Sequence, residues 1–80
     1  MENNLSLVKN QFKELPNNIE AEQAVIGSIL LNNEIFDEIS TIISGLNFYD
    51  PMHQKIFDAI DNLIYKGMLA NPITLKNYFE

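Results

Sequence analysis

Three groupings of ionisable residues are spaced closely enough to invite chemistry: Glu20 with Glu22, Asp37 with Glu38, and Asp50 with His53. Two carboxylates sharing a site can divide acid and base roles between them. Side chains one or two positions apart on a helix do not face each other, however. The two carboxylate pairs therefore read as a capped helix start and a solvated helix face. His53 is the single histidine. It is placed to pair with Asp50 or to pack at the surface, and a structural or capping role outweighs a catalytic one. A metal centre fails on ligand count, since zinc takes about four ligands and the chain offers one histidine and 0 Cys. A nucleotide loop needs G-x-x-x-x-G-K-[ST], so that backbone N–H groups can cradle phosphates. Gly27, Gly45 and Gly67 stand far apart and none fits that pattern. No catalytic, cofactor-binding or metal-binding residue is assigned, no cofactor is expected in the chain itself, and partner-binding residues stay open.

The composition narrows the classes further. Eighty residues make one domain at most. A hydrophobic content of 46% suits a folded core and is too high for a disordered chain. Eleven acidic residues face five lysines with no arginine, for a net charge of −6. Duplex binding rests on Lys and Arg neutralising phosphates, so direct DNA recognition is not expected. The absence of cysteine fits a reducing cytoplasm. No apolar run is long enough for a membrane span, and the N-terminus lacks the basic and apolar regions of a secretory signal.

The elements that must position these residues are all helical. Residues 1–15 carry Leu5, Val8, Phe12 and Leu15 at spacings of three and four. That stripe is marginal as an isolated helix, and the segment reads as an N-terminal arm, with docking on a neighbouring subunit as the sharper alternative. Pro16 stops any helix there. Asn17 followed by Glu20 fits a helix start, with Asn18 as an alternative cap, and Glu20 and Glu22 suit the helix dipole. Ala24 to Leu31 is apolar or small throughout, which predicts burial on most sides. Gly27 there either lets another helix approach or is tolerated.

Asn33 is the expected cap of a second helix whose Ile35, Phe36, Ile39, Ile42 and Ile43 form the clearest amphipathic pattern in the chain. Gly45 is expected to end it in the left-handed conformation. Phe48 and Tyr49 read as a hydrophobic staple ahead of Asp50, the cap of a third helix with Pro51 at its first position. Met52, Ile56, Phe57, Ala59, Ile60, Leu63 and Ile64 point inward, and Gly67 ends the helix. Asn71-Pro72 repeats the device for a fourth helix with Leu75, Tyr78 and Phe79 on its inner face. That helix reaches Glu80 without a C-cap, the pattern of a piece of something longer. The predicted fold is an all-α compact bundle of about four main helices, with a head over 16–80 and an arm over 1–15. Its predicted core is Val25, Ile26, Ile29, Leu30, Phe36, Ile39, Ile43, Ile56, Phe57, Ile60, Leu63 and Leu75, and its predicted caps are Asn17, Asn33, Asp50 and Asn71.

Several of these pieces, taken in order, resemble the N-terminal domain of the bacterial replicative DNA helicase, the DnaB family. They are Ile19-Glu20-Ala21-Glu22-Gln23-Ala24-Val25-Ile26-Gly27, Asn33-Glu34, Phe48-Tyr49, Pro51, His53, Ile56-Phe57-Asp58-Ala59-Ile60, Leu63, Gly67 and Pro72-Ile73-Thr74-Leu75. The resemblance runs from about Leu15 to Glu80. It implies a globular helical head that is followed in the family by a helical hairpin and, further on, a separate ATP- and magnesium-dependent motor. Six copies of the family's domain form a collar on the hexameric ring. The implied role is oligomerisation and recruitment of primase through its C-terminal domain at the cytoplasmic replication fork, with a helicase loader as a further candidate partner.

Three other readings compete. The helicase-binding domain at the C-terminus of primase has a similar helical fold, but the polar arm after Met1 favours an N-terminal domain. An acyl carrier protein is also small, acidic and helical. It needs a serine at a helix start to carry its prosthetic arm, and Ser28 lies in the middle of an apolar run. A free-standing helical interaction domain is the third.

Overall fold

The computed structural model describes residues Asn18–Glu80, so the arm, its apolar stripe and the expected cap Asn17 lie outside the described residues. The described residues form α1 (Ile19–Leu31), α2 (Phe36–Ile39), α3 (Pro51–Tyr65) and α4 (Pro72–Phe79), with 3-10 turns at Asn33–Ile35 and Gly45–Asn47 and no strand among them.

Each longer helix starts on a side-chain cap. Asn18 caps α1 by accepting from Ala21 N–H at 2.9 Å. Asp50 caps α3 by accepting from Met52 N–H at 2.8 Å, with Pro51 at the first helical position. Asn71 and Thr74 cap α4 reciprocally: each side-chain oxygen accepts the other's backbone N–H at 2.9 Å. These caps satisfy donors that a helix start leaves without internal partners. At the end of α3, Gly67 has φ 80°. Its N–H donates to Ile64 O and that of Met68 to Leu63 O, both at 2.9 Å. This is the paired bonding that a left-handed residue after a helix permits, and glycine adopts it without steric cost.

The second helix is shorter than its pattern predicted. It begins as a 3-10 turn capped by Asn32, not Asn33, and contains one α-turn. Beyond Ile39 the chain loosens into a turn. The hydroxyls of Ser40 and Thr41 donate to Asp37 O at 3.1 Å and Glu38 O at 2.7 Å, the local bonding by which these residues compete with helix propagation. Four of the five residues from Ile39 to Ile43 are β-branched, which weakens the helix further. Gly45 does not take the left-handed conformation; among the described residues only Gly67 has positive φ. Gly45 is buried at the start of a 3-10 turn, where a Cβ would collide with the Asp58 carboxylate.

The core gathers Val25, Ile26 and Ile29 from α1, Phe36 and Ile39 from α2, Phe57, Ala59, Ile60 and Leu63 from α3, and Leu75 from α4, together with Ile43, Phe48 and Ala70. Leu30, Ile56 and Ile64 are only half-buried at its edge. Phe48 lies in the core: its ring lies 5.1 Å from that of Phe57, which lies 5.3 Å from Phe36. Tilted pairs at such separations are favoured by the ring quadrupoles. Met52, Tyr78 and Phe79, expected inside, are exposed. The Tyr78 hydroxyl instead accepts from Asn62 Nδ2 at 3.0 Å, tying α4 to α3.

Helix α1 is less buried than its apolar run implied. Ala24 and Ser28 are exposed and Leu31 is 91% exposed. Among the described residues the bundle covers one side of this helix. Among the described residues nothing lies within 4 Å of a Cβ built at Gly27, which supports the reading of a tolerated glycine over that of a close helix approach. Gly27→Ala is expected to stabilise the domain by about 0.5–1 kcal/mol. Gly67→Ala, which forces a Cβ into the left-handed region, is expected to destabilise it by about 1–2 kcal/mol. Urea denaturation followed by helical circular dichroism measures both; shifts of the same sign would contradict these assignments.

Candidate functional site: a buried carboxylate clamp

The most chemically loaded point in the fold joins two residues that are 31 positions apart. Glu22 Oε1 lies 2.8 Å from His53 Nδ1. The Glu22 carboxylate also accepts from Tyr49 N–H at 2.6 Å through Oε2 and from Asp50 N–H at 3.3 Å through Oε1. Glu22 is 1% exposed and His53 9%. His53 thus pairs with Glu22 rather than with Asp50, whose side chain is committed to the α3 cap. Which of the two atoms donates in this contact is set by the protonation of the pair.

Helical phase puts both residues in place. Glu22, Val25, Ile26 and Ile29 fall at i, i+3, i+4 and i+7 on the buried face of α1. On α3 the same spacing sets His53 beside Ile56, Phe57 and Ile60. That phase was the available signal. The reading of Glu22 as a dipole partner in a capped helix start overlooked it. A second polar side chain completes the local network: Gln54 Nε2 donates to Phe48 O at 2.7 Å. The segment Phe48–Asp50 is therefore held through two N–H groups and one carbonyl, and the Phe48 ring stands edge-on to His53 with centroids 6.3 Å apart.

This arrangement holds structure rather than performing a reaction. Both Glu22 oxygens are already bonded to protein groups, and both residues of the pair are buried. The other candidates do not converge on it. Glu20, Asp37 and Glu38 are exposed and separate from the clamp. Among the described residues no group of three or more His, Cys, Asp or Glu side chains is placed to hold a metal ion. No helix among them is long and apolar enough to cross a membrane.

A second polar staple, which nothing in the sequence pattern announced, sits just beyond the other end of α1. Asn33 Nδ2 donates to Ile29 O at 2.8 Å and Ala70 O at 2.9 Å, while its Oδ1 accepts from Ala70 N–H at 2.8 Å. Asn33 thus links α1 to the segment leading into α4, in place of the capping role expected for it.

The described residues form an all-helical domain whose buried side-chain polar groups are satisfied within it. The chain matches the family model described as the DnaB-like helicase N terminal domain over residues 14–80, and it belongs to that family. A replicative DNA helicase DnaB of Rickettsia typhi is 41% identical, with 94% of this chain and 16% of the relative aligned. The corresponding protein of Rickettsia prowazekii is 46% identical over 79% of this chain and 13% of its own length. That of Buchnera aphidicola subsp. Baizongia pistaciae is 43% identical over 84% and 14%. The chain thus spans about a sixth or less of the length of these relatives. No solved structure matches it.

Removing the clamp carboxylate strands one imidazole and two backbone donors. Glu22→Ala is expected to cost about 3–5 kcal/mol, because three buried groups lose their partner together. Such a loss is large for a domain of this size. His53→Ala leaves Glu22 bonded to Tyr49 and Asp50, and its loss should be smaller, about 1–3 kcal/mol. Chemical denaturation gives the ranking, and amide exchange at Tyr49 and Asp50 should accelerate in the glutamate variant alone. Equal losses with no local exchange effect would contradict the clamp.

Proposed function

We propose that this chain is the helical head of a replicative DNA helicase. It acts there as a protein-docking and assembly module rather than a motor. In this reading the head contributes to the collar of a hexameric ring and helps to recruit primase through that enzyme's C-terminal domain in the bacterial cytoplasm, where a helicase loader is a further candidate partner. ATP and magnesium belong to a motor domain elsewhere in the parent. The observation that carries the proposal is the 41% identity to a DnaB helicase along 94% of the chain. The chemistry supports it: the chain has no nucleotide loop, its buried ionisable pair is internally satisfied, and its net charge of −6 opposes a grip on phosphates.

Mechanically, the head serves as a rigid wedge whose buried faces on α1 and α3 keep its contact surfaces in register. Ile26 is 7% exposed, so Ile26→Asp places an unpartnered carboxylate in the core. In the product of the complete source reading frame, that change is expected to unfold the head or scatter the hexamer and to reduce co-elution with primase. Size-exclusion chromatography with light scattering reads this directly. Unchanged melting with unchanged assembly would overturn the wedge, and a source frame that stops soon after codon 80 would replace it with a free-standing adaptor.

A further inference from the structure

We draw no further inference here: the strongest candidate, the exposed apolar patch at the α3–α4 corner around Tyr65, Leu69 and Ile73, carries none because nothing in the structure shows what covers it.

Discussion

The Glu22 carboxylate sets the geometry on which the rest of the domain depends. An unpaired carboxylate costs far more to bury than a side chain of this domain's small core could return. It is tolerated here because an imidazole and two backbone N–H groups approach it together. Charge-assisted bonds of this kind are short and directional, so they fix a position where apolar contacts would only favour proximity. Tyr49 and Asp50 cannot drift from α1 without leaving a charge unsolvated. Because they are fixed, Phe48 is delivered to the core and Asp50 stands where it must to cap α3.

Helix α1 is consequently pinned beside both of its ends. Near its start Glu22 holds the beginning of α3; just past its end Asn33 holds Ala70 and, through it, the approach to α4. The 13 residues of α1 act as a ruler about 20 Å long between the two staples. Apolar packing alone permits sliding along helix faces at modest cost, because hydrophobic contact is not directional. Two polar staples on one helix remove that freedom. The Asn62–Tyr78 contact then sets α4 against α3. Among the described residues no buried side-chain nitrogen or oxygen lacks a hydrogen-bond partner, as such a design requires, since a half-satisfied polar network is worse than an apolar one.

The sequence disclosed whatever is local. Asp50-Pro51 and Asn71-Pro72 mark helix starts because the cap and the fixed proline φ act within one turn. The burial of Ile29, Phe57 and Ile60 follows from phase alone. The second helix failed because its apolar spacing said nothing of Ser40 and Thr41 bonding back to the chain. Asn33 was misplaced for a different reason. Its cap-like context is real, but Asn32 takes that role, and its true partner lies 37 residues away. Glu22 marks the deeper limit. A carboxylate in a first helical turn has a sufficient local explanation in the helix dipole, and only its coincidence in phase with Val25, Ile26 and Ile29 argued for burial.

The family relationship and the physics of the clamp bear on function from different sides. The clamp explains why these acidic and imidazole side chains serve structure: the Glu22 carboxylate is buried and already bonded to an imidazole and two backbone N–H groups. What remains for partners is the outer surface, and there the charge is unevenly divided. Acidic residues dominate from Asn18 to Asp61, whereas Asn62 to Phe79 carries Lys66 and Lys76 and no carboxylate. A surface that changes sign along the chain orients an approaching protein and disfavours mismatched encounters. Among the described residues Lys55, Lys66 and Lys76 are the only lysines, too few for a positive track along a phosphate backbone. In the reading proposed above, an internally satisfied head with this exterior serves protein contacts, and force on DNA belongs to another domain of the parent.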